Sequence, residues 1–140
     1  MKKSFSILIV LGALALAASQ ARAQVIVIAN PNVKSSAVPK GELRDVFTGA
    51  STNFKDGSQV TPVLEKSGSV SDEFLSLFIG KNDSVFRAGW RNLVFSGQAA
   101  MPKSVDSDAA MVDYVAHTPG AVGYIGKSAP HDGVKVIEVK

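Results

Sequence analysis

Val25-Ile26-Val27-Ile28-Ala29-Asn30-Pro31-Asn32 opens on four β-branched residues in a row and stops at an Asn-Pro-Asn turn. An unbroken apolar run this short suits a strand buried on both faces, as in a sheet covered by helices on either side. A strand with one wet face would alternate apolar and polar residues, and this one does not. The run therefore predicts an α/β fold.

Downstream, the spacing predicts four helices, at about 39–48, 70–79, 84–95 and 107–117. Pro39 suits a first helical turn, and Leu43, Val46 and Phe47 then share one face. Phe74, Leu77 and Phe78 form the apolar face of the second helix. Phe86, Trp90, Leu93 and Val94 form that of the third, and Met111, Tyr114 and Val115 that of the fourth. Spacings of three and four give each helix one buried face. Gly49, Gly80, Gly97 and Gly120 follow the four helices, and glycine reaches a left-handed cap without a steric penalty. Gln59 to Leu64 reads as a strand after the Lys55-Asp56-Gly57 turn. Ala121 to Ile125 and Val134 to Val139 read as two more strands. The expected order is β-α-β-α-α-α-β-β, one α/β domain with a small mixed sheet flanked by helices. Internal repeats, low-complexity segments and linkers are absent from the sequence.

Upstream, residues 1–23 read as a signal peptide. Lys2 and Lys3 precede an apolar stretch from Phe5 to Ala18, and Ala21-Arg22-Ala23 places small residues where a signal peptidase needs them. Cleavage after Ala23 is expected to leave Gln24 first. The stretch is shorter than the roughly 20 apolar residues of a spanning helix, and no Cys follows it to carry a lipid. The expectation is a periplasmic or secreted protein with no stable membrane insertion. The whole sequence carries 15 Lys and Arg against 12 Asp and Glu. Lys2, Lys3 and Arg22 fall in the first 23 residues, which hold no acid, so the remaining 117 residues balance at 12 of each sign. The basicity belongs to the leader, and the electrostatic footprint of a nucleic-acid binder is missing. The absence of cysteine excludes disulfides and thiolate chemistry.

The segment Glu65-Lys66-Ser67-Gly68-Ser69-Val70-Ser71-Asp72-Glu73 joins a strand to a helix. Its serines and glycine cluster where unpaired backbone N–H groups should point outward, which suits an anion. The same residues suit plain capping, with Ser69 or Ser71 satisfying the helix start and Asp72 and Glu73 complementing its dipole. Those acids also repel an anion, so chemistry alone favours the cap. The polar turns Thr48–Asn53 and Phe95–Gln98 read as solvated caps rather than cleft walls. Trp90, with Phe86 and Leu93, reads as core. His117 and His131 lack partners at metal-ligand spacing, and His117 in a last helical turn complements the dipole. No nucleophile elbow, His-Glu-x-x-His or P-loop occurs. Asp72, Glu73, Asp106 and Asp108 read as helix-start carboxylates. A non-enzyme with no metal and no cofactor is expected.

Five segments carry a resemblance: Val25 to Pro31 (VIVIANP), Glu42 to Gly49 (ELRDVFTG), Asp56-Gly57 leading to Thr61-Pro62-Val63, Trp90 to Gly97 (WRNLVFSG) with Met101-Pro102, and Thr118 to Ile125 (TPGAVGYI). In order and spacing, the chain after residue 23 resembles the short, single-lobe members of the phosphate-transporter substrate-binding protein family. That family is a branch of the type 2 periplasmic binding proteins. The resemblance implies one lobe that binds phosphate or a similar small oxyanion for uptake through an ABC permease. In full-length members two lobes close on phosphate, and the loop after the Pro-Val strand carries an Arg and a Ser-Gly-Thr that grip the anion. Here Ser67-Gly68-Ser69 resembles the Ser-Gly-Thr, while counting from Pro62 puts the equivalents at Ser69, Val70 and Ser71. The Arg position is Val63 in the first register and Glu65 in the second, and Lys66 is the nearby cation. The resemblance thus points to Ser67, Gly68, Ser69 and Ser71 as anion ligands, through hydroxyls and backbone N–H groups, and Thr48, in the polar turn after the first helix, is a secondary candidate across the cleft. The alternative is an envelope protein whose lobe surface faces protein, in a homodimer or against a partner.

Overall fold

The computed structural model describes residues 24–140, and the expected signal segment 1–23 lies outside the described residues. The elements in order are β1 (Val25–Ala29), β2 (Ala37–Val38), α1 (Lys40–Phe47), β3 (Thr61–Glu65), α2 (Ser69–Phe74) with a π-helical turn Leu75–Ile79 attached, α3 (Asp83–Phe95), β4 (Lys103–Val105), α4 (Asp108–His117), β5 (Ala121–Gly126) and β6 (Lys135–Val139). They form one six-stranded sheet in the order β2-β6-β1-β5-β3-β4. β1 is antiparallel to both β5 and β6, while β3 is parallel to both β4 and β5.

Parallel neighbours need crossovers, and these crossovers are the helices. The α2–α3 segment joins β3 to β4, and α4 joins β4 to β5. Phe74, Leu75, Ile79, Phe86 and Trp90 pack with Val25, Val27 and Ala29 of β1, together with Leu43, Val46 and Phe47 of α1. Met111 and Val115 of α4 pack with Ile28, Val63 and Ile125 on the other face. Alternate residues of β1 thus enter two separate cores, which is why the run is apolar throughout. Asn30, at the end of β1, donates to the carbonyls of Val115 and Ala116 at 2.9 and 3.2 Å and so satisfies the last turn of α4. Gly123 is the residue on β5 that lets α4 approach: a Cβ there would overlap Met111 Sδ and lie 3.2 Å from its Cε.

All four expected helices form, and Gly49, Gly80, Gly97 and Gly120 all have left-handed φ, between 73° and 81°. Two helix faces differ from the sequence expectation. After Phe74 the fully buried residues are Leu75 and Ile79, while Leu77 is exposed and Phe78 half-buried. The cause is the π turn. Gly80 N–H donates to Leu75 O at 2.7 Å, five residues back, so each turn takes up an extra residue and the inward face shifts. On α3, Phe86 and Trp90 are buried, but Val94 lies beyond the core and is exposed. Two strands also go beyond the expected four. β2 and β4 are the two edges of the sheet, each paired to one neighbour.

Candidate functional site

β3 and the helices α2 and α4 define one end of the sheet. β3 finishes there at Glu65, and both helices start there. The end is tied together by backbone bonds: Lys66 N–H donates to Val105 O at 2.9 Å, and Lys127 N–H to Gln24 O at 2.6 Å. Gly126 N–H donates to Asp108 Oδ2 at 3.1 Å, linking β5 to the first residue of α4.

Neither Ser69 nor Ser71 caps α2, so the plain capping expectation fails. The N-cap is Gly68, in extended backbone, and among the described residues no side chain accepts from the helix start. Asp72 N–H is the first to find a helical acceptor, Gly68 O at 2.9 Å. Among the described residues, the N–H groups of Ser69, Val70 and Ser71 donate to no protein acceptor. Ser67, Gly68 and Ser69 are exposed. Ser71 is turned inward and buried, its hydroxyl 3.1 Å from Tyr124 Oη. Tyr124 Oη also accepts from Glu65 N–H at 2.9 Å, so one phenol fixes both sides of the β3–α2 junction. Burial holds the Tyr124 phenol above its usual pKa, so it stays a neutral hydroxyl. The structure thus brings Ser67, Gly68 and Ser69 to the surface of this junction and turns the Ser71 hydroxyl away from it.

Thr48 is not brought to them. It ends α1, where its hydroxyl donates to Arg44 O at 2.8 Å. Its neighbour Gly49 shares a hollow with Thr61 and Pro62, where β3 begins, so the length of β3 separates Thr48 from Ser67. The reason is the direction of α1. It starts at Lys40, whose N–H donates to Lys140 O beyond the end of β6, and runs toward the start of β3. The two polar turns, expected to be solvated caps, face each other over that hollow of about 270 Å³, with Trp90 in its floor. Trp90 is core as expected, its Nε1–H donating to Phe47 O at 2.9 Å.

The charge around the junction is mainly acidic. Asp72 lies in the first turn of α2, and Glu73 Oε1 accepts from Gln24 N–H at 2.8 Å. Lys66 Nζ reaches away to Asp106 at 2.8 Å, on the open surface. Beneath it, Glu65 is only 6 % exposed, and Asp108 faces it from α4. Asp108 therefore serves β3 and β5 rather than its own helix start, which Ser107 caps by accepting from Ala110 N–H at 3.1 Å. Neither the role of Tyr124 nor the Glu65–Asp108 pair is legible in the sequence. Tyr124 reads as one more apolar strand residue, and a charge closing a strand ordinarily faces water.

No protein-family model matches the chain, and no curated protein matches it. Solved structures do. One, from Clostridium perfringens, is described as a putative phosphate ABC transporter substrate-binding protein with bound phosphate. It has 20 % identity and a TM-score of 0.64 over 83 % of this chain and 44 % of its own. The PstS protein of Borrelia burgdorferi matches at 21 % identity and a TM-score of 0.61, over 84 % of this chain and 47 % of its own. An ABC-type phosphate transport receptor from Vibrio cholerae matches at 18 % and 0.56, over 83 % and 46 %. The fold is that of one periplasmic-binding-protein lobe. The lobe spans less than half the length of each of these proteins. Among its described residues no helix is long and apolar enough to cross a membrane.

Proposed function

We propose that this lobe is an exported, non-enzymatic binding module that takes phosphate or a similar small oxyanion at the β3–α2 junction, in the service of uptake through an ABC permease. The observation that carries the reading is the fold match over 83 % of the chain to a structure solved with phosphate bound. Among the described residues the N–H groups of Ser69, Val70 and Ser71 have no protein acceptor, and with the exposed Ser67 and Ser69 hydroxyls beside them they supply donors and no acceptor carboxylate of their own. Such donors hydrogen-bond an anion without needing a guanidinium.

The junction lies open to water, and a buried ligand gains far more from the same contacts. Affinity in the millimolar range, about 4 kcal/mol, follows. Calorimetric titration with phosphate tests it. Ser69→Pro is the discriminating variant, because proline is well tolerated at a first helical position yet removes one N–H. It should weaken binding severalfold more than Ser69→Ala, which removes only the hydroxyl. Equal affinity in all three proteins would remove the backbone-donor reading.

A further inference from the structure

We infer that Glu65 and Asp108 share a single proton, forming a latch that joins the end of β3 to the start of α4. The inference stands apart from anion binding. Both side chains bury a carboxyl oxygen, Glu65 Oε2 and Asp108 Oδ1, that meets no other donor among the described residues. The remaining Asp108 oxygen already accepts from Gly126 N–H. Two ionised carboxylates cannot be buried side by side without a cation, and a buried oxygen without a donor is costly. One proton satisfies both orphans, because Glu65 as an acid donates to the Asp108 oxygen.

Among the described residues no cation forms an ion pair with either carboxyl group. From β5, Tyr124 presents a neutral hydroxyl that binds the Glu65 backbone rather than its carboxyl. From α2, Ser71 is held by that same hydroxyl. Lys66, the neighbouring cation, is exposed and paired to Asp106. On α3, Arg87 pairs with Asp83 at 2.8 Å. Among the described residues no group of three or more His, Cys, Asp or Glu side chains could hold a metal ion. Burial, and then Asp108, push the Glu65 carboxyl up to about 8 from an ordinary value of 4.5.

The sign of the pH effect follows. Between about 4.5 and 8 the folded chain keeps a proton that the unfolded chain has released, so stability falls as pH rises through this window and levels off above it. Above about 8 the second charge forms and the contact between the two side chains is lost, while the backbone bonds from Glu65 to Tyr124 and from Lys66 to Val105 remain.

Carbon-13 NMR of the side-chain carboxyls, followed from pH 5 to 9, reads the proton directly. Glu65 should keep the shift of a protonated acid at pH 6 and titrate near 8. In parallel, the melting temperature should fall by roughly 10 °C from pH 6 to 9 beyond any change in Glu65→Gln, whose amide donates to Asp108 at every pH. Asp108→Asn should lower the Glu65 midpoint by removing the neighbouring charge. A Glu65 carboxyl that titrates with the exposed acids below pH 5 overturns the latch. So does a Glu65→Gln melting curve that keeps the wild-type pH dependence, or a stability at pH 6 that a chelator abolishes.

Discussion

Removing one oxygen from Tyr124 should cost this lobe far more than its size suggests. The ring of Tyr124 stacks on Phe74 with centroids 3.9 Å apart and planes within 8°, and it leans on Phe47 at 6.1 Å. Tyr124→Phe keeps those contacts. What it removes is the acceptor for Glu65 N–H and the partner of the Ser71 hydroxyl. Both groups are buried, Glu65 at 6 % and Ser71 at 2 % exposure. A buried polar group left without a partner costs about 1–3 kcal/mol, so two orphans amount to about 3 kcal/mol. Ser71→Ala alone should cost about 1 kcal/mol, since Tyr124 Oη keeps its bond from Glu65. In the double variant the Ser71 orphan no longer exists and only the Glu65 N–H is left unpaired, so the combined cost should be about 1.5 kcal/mol, short of the sum by about 2.5 kcal/mol. Urea denaturation of the four proteins at one pH measures all three terms. A Tyr124→Phe protein within about 0.5 kcal/mol of wild type, or strict additivity of the pair, would refute the claim that this phenol fixes the junction.

Two further predictions concern glycines. Gly123→Ala drives a methyl group into the fully buried Met111, so it should destabilise by about 1–3 kcal/mol in chemical denaturation. Gly97 and Gly120 share a left-handed backbone, but a Cβ on Gly97 meets open space and one on Gly120 lies 2.8 Å from Gln59 O. Gly97→Ala should therefore cost about 1–2 kcal/mol for the backbone alone, and Gly120→Ala clearly more by the same assay.

Most of the fold was legible in the sequence because its signals are local. The β-branched run of β1, the apolar faces of α1 and α4, and the glycine after each helix depend on residues a few positions apart. What escaped depends on distant partners. Ala37–Val38 and Lys103–Val105 are too short to show any period and become strands only by pairing with β6 and β3. Leu77 looks inward on a regular helix, and the π turn, invisible in the apolar pattern, turns it out. At the site, the serine cluster was visible, but which serine turns inward was not. Ser71 is committed to Tyr124, 53 residues away, and that bond leaves the α2 amides without a side-chain cap. A polar turn after a helix suggests a cleft wall at Thr48, whereas the path of α1 carries it to the opposite end of the sheet.

If an oxyanion binds at the β3–α2 junction, the amide chemical shifts of that segment report it. With phosphate raised through the millimolar range in a proton–nitrogen correlation spectrum, the signals of Ser69, Val70 and Ser71 should move together and saturate along one curve. An equal concentration of chloride should leave them in place. Unmoved amides at saturating phosphate, or shifts confined to the hollow beside Trp90, would contradict the account.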